Sequence, residues 1–550
     1  MALSKQTAKE ELIAQDIKRL HGMGYAQELF RTMGGFSNFA ISFTIISVLS
    51  GCITLFGTGI TQSGFAAGSI GWPLVTIFVV IVALGMAELA SAYPTAGGLY
   101  YWSSKLGGSG WGWYTGWFNL IGQVAVTAGI DYGLAVSIDV LLNAWFPSFP
   151  ATLGTITGID AATQWSTLAI YAVVLALHAL LNIFGVRLVA LLNDVSVWWH
   201  IAGVILIAGG VVVATLIGMQ FGGDHFATHA AAQPLNSAGV LFYADQKYNG
   251  TGFPIWYAFL LGLLLAQYTY TGYDASAHMT EETVGAETRA PWGVLMSVVV
   301  SAFAGYVLLM GLLAAVPDLG KAAGYINPVL YILQSRTGFL LGTLLFAVAV
   351  VAQFFCGMSS ITTNSRMIYA FSRDGALPFS DVWHRLDKGR TPRNAIILAA
   401  VGAFILAIPS VFNLAAYVAI TSIATIGLYI SYVIPIFLRA RKGESFERGP
   451  WHLGKWSRPI GIIAIAWVIF IAVLFMLPTL NPITPVTFNY TPVVVLGALV
   501  ILVIWWFVSV RHWFKGPHAQ GSAAELSAIE RSVGETVLVD ADLEGAAGGE

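Results

Sequence analysis

Charged residues are scarce in this chain of 550 residues. They make up 10% of it, against roughly 25% in an average soluble protein, while hydrophobic residues make up 57%. A core in water cannot absorb that much apolar surface, so the composition excludes an ordinary soluble protein and indicates a lipid environment. The formal net charge of −2 gives no indication of a nucleic-acid partner, and none is expected.

Cysteine is almost absent, and so are the motifs of metal and nucleotide sites. Cys52 and Cys356 both lie inside apolar stretches, so they form no exported disulfide framework and are interpreted as small hydrophobic residues. No cluster of Cys and His has metal-ligand spacing, and no GxxxxGK[ST] motif occurs. The sequence therefore predicts no metal, no cofactor and no ATP-driven pump. It also contains no nucleophile, base or metal cluster for a membrane enzyme, and no filter for a channel.

Apolar stretches of roughly 20 residues, the length that crosses a bilayer, are abundant. The sequence predicts an all-α polytopic membrane protein with twelve transmembrane helices. Their predicted starts are near Phe36, Ser69, Trp113, Trp165, Val189, Phe253, Trp292, Gly338, Asn394, Leu414, Pro459 and Thr491.

Lysine and arginine are distributed unevenly between the two sides of these helices. With the N-terminus in the cytoplasm, 23 of the 26 basic residues lie on the cytoplasmic side, and Lys247, Lys321 and Arg336 lie outside. Basic residues accumulate in cytoplasmic loops, so the sequence predicts that both termini are cytoplasmic.

Two of the twelve helices are interrupted by small and polar residues. Helix six reads "YTYTGYD" near its middle, and helix one reads "IISVLSGCITLFGTG", with Ser47, Ser50 and Gly51 in the patch. Such residues are often only a packing surface. Interruptions in both helix one and helix six instead indicate a repeat of five helices, inverted in the membrane, with helices eleven and twelve appended.

This repeat divides the chain into seven segments. They are an N-terminal tail (1–35), repeat 1 with helices one to five (36–218), an extracellular loop (219–252), repeat 2 with helices six to ten (253–438), a cytoplasmic loop (439–458), helices eleven and twelve (459–514) and a tail predicted to be disordered (515–550). The N-terminal tail is also predicted to lack structure, because it is polar and mixed in charge.

Five stretches in order resemble one branch of a known superfamily. They are "SNFAISFTIISVLSGCITLFGTGI", "AELASAYPTAGGLYYW", "GWFNLIGQVAVTAGIDYGLAV", "TGYDASAHMTEET" and "NSRMIYAFSRDGALP". They resemble the amino acid/choline transporter branch of the amino acid–polyamine–organocation superfamily, which includes GABA permeases. The resemblance implies the five-plus-five inverted repeat, with discontinuous helices one and six, and secondary transport of amino acids or related amines.

The resemblance also implies where a substrate would bind. The carboxylate would meet amides around Ser50 and Gly51, the amine would meet carbonyls of helices one and six, and Tyr268 would lie at an aromatic gate. Independently, a half-helix N-terminus offers free N–H groups to a carboxylate, and free carbonyls suit an ammonium group. The predicted substrate residues are Ser47, Ser50, Gly51, Gln123, Thr127, Asp131, Tyr268, Thr269, Thr271 and Gly272.

Helix three carries a polar stripe in which Asn119, Gln123, Thr127 and Asp131 are each four residues apart. The stripe is interpreted either as interhelical hydrogen bonding or as part of the substrate path. A carboxylate inside a span is costly, so Asp131 is expected to hold a substrate ammonium or to carry a proton. Asp274 follows the break in helix six and is expected to bind a proton, to gate the inner path or to bond neighbouring backbone.

The predicted ion-coupling residues are His200, Ser359, Ser360 and Thr363. His200 lies thirteen residues after Arg187, where some relatives have a lysine whose ammonium replaces a sodium ion; a neutral, hydrogen-bonded histidine is the alternative. The hydroxyls of helix eight indicate a sodium site or bonds to the preceding turn. The hypothesis is a plasma-membrane permease for GABA or another small amino acid, coupled to protons. Sodium symport, amino acid exchange and the transport of choline-type or polyamine-type amines stay open.

Overall fold

The computed structural model describes residues 2–146, 162–184, 186–218, 234–244, 246–387, 389–412 and 414–533. Within these ranges the chain is helical, and the only β pairing is an isolated bridge between Met33 and Thr283. Residues 219–233 of the predicted extracellular loop and residues 534–550 of the C-terminal tail lie outside the described residues.

Eleven helices in the described ranges are long and apolar enough to cross a membrane, and a shorter apolar helix lies between the fifth and the sixth of them. Numbered in chain order, they are here called spans 1 to 12. Their bounds are Gly35–Thr54, Ala67–Ala92, Ser109–Trp145, Trp165–Phe184, Leu188–Ile217, Ile255–Thr269, Ala286–Ala315, Phe339–Arg373, Arg393–Val411, Ala415–Ser445, Gly454–Leu474 and Thr491–Trp513. The all-α membrane fold is confirmed, and span 6 is short because its helix is interrupted.

Span 1 is divided at Ser47 into two helices, Gly35–Ile46 and Val48–Thr54. Ser47 has a φ of 38° and a ψ of 78°, which is the left-handed region that a residue with a side chain seldom adopts. Its hydroxyl accepts a bond from the Ser50 N–H at 3.2 Å. The chain then continues into the helix Phe56–Ser63.

Span 6 is interrupted twice, and its second break is an unwound turn. The helices Ile255–Gly262 and Leu264–Thr269 are followed by the turn 270–274 and by the short helix Ala275–His278. Gly272, in the turn, has a φ of 100°. Thr269 and Thr271 donate their hydroxyls to carbonyls of the preceding turn at 2.6 and 2.7 Å, which compensates some of the interrupted backbone.

The two breaks face each other, as the sequence predicts. A Cβ on Gly51 would lie 2.5 Å from Thr269 Oγ1, and a Cβ on Gly272 would lie 2.2 Å from Ile45 Cγ2. Both distances are shorter than van der Waals contact, so the two spans approach this closely only because glycine has no side chain.

The prediction that the two tails lack structure is wrong for their described parts. Residues Ala2–Gly22 and Ala523–Val533 form helices. Glu530 Oε1 is 2.7 Å from His21 Nε2 and accepts the Gln27 N–H at 2.8 Å. These long-range bonds order two segments whose composition alone does not predict a folded structure.

The membrane-embedded core is closed on the side where both termini lie, here called the terminal face. Glu281 pairs with Arg373 at 3.0 Å, and Glu282 pairs with Arg366 at 2.9 Å. Arg289, which follows both glutamates closely in the sequence, donates instead to the carbonyl of Val284. The partners come from the end of span 8, which sequence spacing does not reveal.

Candidate substrate site

A small buried cavity lies where the breaks of spans 1 and 6 meet spans 3 and 8. It is lined by Ile45, Ile46, Ser50, Gly51, Val126, Ile130, Tyr268, Thr269, Thr271 and Cys356. None of these ten side chains is charged, so charge recognition in this cavity has to come from backbone groups.

Backbone groups of opposite polarity lie at the breaks of the two spans, beside this cavity. Ser50 and Gly51 donate to the carbonyl of Ser47 at 2.8 and 2.9 Å, so these amides are occupied in this conformation. Within the described residues, the N–H groups of Val48 and Leu49 meet no acceptor, and the carbonyls of Thr269 and Thr271 accept no hydrogen bond. Span 1 therefore offers donors, and span 6 offers acceptors.

Tyr268 closes one side of the cavity against span 3. Its side chain is 3% exposed, and a Cβ on Gly129 would lie 2.5 Å from its hydroxyl oxygen. The hydroxyl has no hydrogen-bond partner in the described part of the chain. A bulky aromatic ring with an unused donor is suited to move or to contact a solute.

Cys356 is a cavity residue that the sequence interpretation treated as a small hydrophobe. Its Sγ donates to the carbonyl of Ile45 at 3.1 Å, in the last turn before the break in span 1. The sequence does indicate this location, because Cys356 precedes Ser359 and Ser360 by three and four residues and therefore lies on the same helix face.

Asn119 and Gln123, the first two residues of the polar stripe on span 3, bind Asp274 and do not line the cavity. Asp274 is buried, and its Oδ2 accepts from Gln123 at 2.8 Å and Asn119 at 3.1 Å. Its Oδ1 accepts from the Tyr432 hydroxyl at 2.8 Å. For Asn119 and Gln123 the structure therefore favours the interhelical alternative, in which Asp274 connects span 6 to spans 3 and 10.

His278 lies 3.4 Å from Asp274 through its Nε2 atom. Its Nδ1 is 3.0 Å from the carbonyl of Ala96, and a carbonyl only accepts, so Nδ1 carries a proton. The contact with Asp274 is therefore favourable when a second proton is present on the pair.

The hydroxyl groups of span 8 do not meet at one site. Ser359 donates to Asn193 at 2.5 Å, Ser360 lies 2.7 Å from the hydroxyl of Thr127, and Thr363 has no side-chain partner among the described residues. They do not converge on His200, the fourth predicted ion-coupling residue, whose partners are Ser47 and Ser196.

His200 contacts the break in span 1. Its Nε2 lies 2.7 Å from Ser47 Oγ, and its Nδ1 lies 2.8 Å from the carbonyl of Ser196. Because that carbonyl only accepts, Nδ1 carries a proton, and neutral His200 accepts the Ser47 hydroxyl proton at Nε2. A second proton would reverse the direction of this bond.

Asp131 lies behind the cavity rather than in it. Its Oδ2 is 3.2 Å from Nδ1 of His178 on span 4, and both side chains are fully buried. The sequence interpretation gave His178 no role, because nothing in the sequence connects it with span 3.

Two broken helices that face each other across a small buried cavity, within a bundle of apolar spans, are typical of polytopic membrane transport proteins. The chain matches the amino acid permease family over residues 33–513, which is most of its length. It therefore belongs to the amino acid permeases.

Named relatives cover nearly the whole chain. The amino-acid permease BAT1 of Arabidopsis thaliana is 41% identical over 514 residues, which cover 91% of this chain and 95% of the relative. The GABA-specific permease of Saccharomyces cerevisiae is 28% identical, with 91% and 86% covered. A putative polyamine transporter of Candida albicans is 26% identical, with 94% and 91% covered.

Proposed function

We propose that this permease is a secondary active transporter that carries GABA or another small amino acid across the plasma membrane by alternating access, coupled to protons. The observation that carries the proposal is the opposed backbone polarity at the cavity. A zwitterion has one group for the free N–H groups of span 1 and one for the free carbonyls of span 6.

In this proposal the substrate carboxylate binds beside Ser47, Ser50 and Gly51, where the free N–H groups of Val48 and Leu49 lie. The substrate amine binds at Thr269 and Thr271. Gly272 allows the turn that presents these carbonyls. The cavity is small and uncharged, which supports a short amino acid over a long polyamine that carries several positive charges.

Two gates are proposed on either side of this site. Tyr268 covers the cavity next to span 3, and Asp274 holds the inner half of span 6 against spans 3 and 10. The ion pairs of Glu281 and Glu282 close the terminal face. The excess of basic residues on this side supports its assignment to the cytoplasm.

His200 is the proposed coupling residue, because its partner is the residue at which span 1 breaks. When His200 is protonated, its Nε2–H donates to Ser47 Oγ and holds the break in place. When it is neutral, the bond depends on the serine hydroxyl alone. Proton binding at span 5 is thereby linked to the position of span 1.

Uptake into proteoliposomes tests the proposal with a panel of GABA, neutral amino acids, choline and putrescine. Internal substrate should accelerate exchange of labelled substrate, and an inward proton gradient without sodium should drive accumulation. Accumulation driven only by sodium would make Ser359, Ser360 and Thr363 the better ion site. Transport of putrescine or choline in preference to amino acids would refute the substrate assignment.

A further inference from the structure

Two ionisable side chains that the proposed site does not use are in contact inside the protein. Asp131 of span 3 and His178 of span 4 are 3.2 Å apart between Oδ2 and Nδ1, and neither side chain is exposed. Ionisable side chains within membrane spans are costly, and they usually mark ion pathways or proton relays.

The geometry leaves room for one additional proton on this pair. A carboxylate only accepts, so the contact is a hydrogen bond when the single proton of neutral imidazole is on Nδ1. The pair then carries one negative charge. Asp131 Oδ1 and His178 Nε2 have no hydrogen-bond partner among the described residues, so a further proton can bind without breaking an existing bond. It would reduce the net charge of the pair to zero.

Span 8 holds the two side chains in this position. A Cβ on Gly357 would lie 1.8 Å from Asp131 Oδ1 and 2.7 Å from His178 Cε1, so only glycine fits. The ring of Phe354 packs against the imidazole with 4.4 Å between the ring centroids. The pair is therefore enclosed by packed side chains, which makes a change in its charge energetically large.

The surrounding ionisable groups do not compensate the charge. Tyr171 of span 4, Tyr268 of span 6 and Cys356 of span 8 interact electrostatically with Asp131. From span 10, Tyr417 donates to the carbonyl of Gly129, two residues before Asp131. Each of these groups is neutral in its protonated form, and none supplies a positive charge.

The pair is adjacent to the substrate cavity through the chain itself. Ile130 and Cys356 line the cavity, and they are the direct neighbours of Asp131 and Gly357. Closing the cavity removes water from this region and raises the cost of an uncompensated buried charge. Closure is therefore favoured when the pair is neutral.

We propose that Asp131 and His178 form a proton-binding site of the transport cycle, separate from His200, which takes up one proton as the substrate site closes. This inference rests on the proposed function of proton-driven transport.

Accumulation in proteoliposomes tests it, with sodium absent, the membrane potential clamped at zero and the outside acidic. Each coupled proton multiplies the limiting accumulation ratio about tenfold per pH unit. Asp131→Asn keeps an acceptor for the His178 N–H and removes the charge. At a gradient of one unit, it should accumulate about tenfold less substrate than the unmodified permease, while its exchange of internal for external substrate persists.

Asp139→Asn is the matched control. Asp139 is also buried on span 3, where its carboxylate accepts from the hydroxyls of Ser166 and Thr167. This variant should keep the accumulation ratio of the unmodified permease. The double variant Asp131→Asn, His178→Gln has no titratable group at the site and should match Asp131→Asn.

An unchanged accumulation ratio in Asp131→Asn would overturn this inference and leave the proposed function standing. Loss of exchange together with accumulation, in a variant that elutes as a folded monodisperse protein, would also overturn it and assign Asp131 to substrate binding or architecture. If the unmodified permease exchanges substrate but ignores the proton gradient, the coupling part of the proposed function fails, and this inference fails with it.

Discussion

Replacing Gly51 with alanine tests the close approach of the two broken spans. The new Cβ would lie 2.5 Å from Thr269 Oγ1 and 2.8 Å from Thr269 Cβ. Ordinary contacts between non-bonded heavy atoms are about 3.5 to 4.0 Å, so the spans must separate by about 1 Å. Overpacking of this kind costs about 1–3 kcal/mol.

This cost applies to the closed conformation, in which the two breaks are in contact. Each 1.4 kcal/mol changes an equilibrium about tenfold, so the closed state should be about fivefold to about a hundredfold less populated. We expect initial rates of uptake to fall by a similar factor in Gly51→Ala. Gly51→Leu should abolish uptake, and both variants should still insert into the membrane at normal levels.

Two further variants separate the steric clash at Gly51 from the effect of alanine on helix propensity. Gly497→Ala, in span 12, adds a Cβ that meets nothing within 4 Å and should leave uptake unchanged. In Gly51→Ala, the second substitution Thr269→Gly removes the atoms that clash and should restore part of the uptake, as a double-mutant cycle would show. Normal uptake in Gly51→Ala, or no coupling between the two positions, would refute the facing of the two breaks.

Four further predictions concern single side chains. A small membrane-permeant thiol reagent should inhibit uptake through Cys356, with protection by substrate, so Cys356→Ala should be resistant and Cys52→Ala should stay sensitive. His200→Ala should uncouple uptake from pH, and His200→Lys should flatten the pH profile; a normal profile in both would exclude His200 as the coupling residue. Tyr268→Phe removes only an unpaired hydroxyl and should retain uptake, whereas Tyr268→Ala should lose substrate retention in exchange assays. Burial raises the pKa of Asp374, so the stability that this carboxyl group contributes to the folded permease is complete below its ordinary value of 3.8 and is lost as the pH rises through the raised pKa; the thermal stability of the purified permease should fall accordingly, and Asp374→Asn should remove the dependence.

The sequence predicts the spans and both breaks because these features depend on local composition. Twelve apolar stretches require only the length of the bilayer, and Gly51 and Gly272 mark where backbones come close. The tail helices escaped prediction because long-range contacts order them. Glu530 and His21 are far apart in the chain and meet only after both termini reach the same face.

Side-chain partners were predicted less well than side-chain locations. Asp131, Asp274 and His200 were all identified as important, yet their partners His178, Tyr432 and Ser47 come from other spans. Hydrogen-bond partners in a bundle depend on the rotation of each helix about its axis. Successive residues lie about 100° apart around a helix, so a rotation of a few tens of degrees changes which residue is reached, and no local pattern encodes that angle.

The backbone strain at Ser47 connects the proposed substrate site to His200, the proposed coupling residue. A left-handed residue with a side chain costs about 1–3 kcal/mol and persists only where its surroundings hold it. Here His200 binds the hydroxyl of Ser47, and that hydroxyl in turn accepts the Ser50 N–H. Ser50 of the proposed substrate site, the strained Ser47 and the ionisable His200 are therefore three consecutive members of one hydrogen-bonded chain. A proton on His200 changes the bond that holds the strain, so it acts on the geometry of the cavity without touching the substrate.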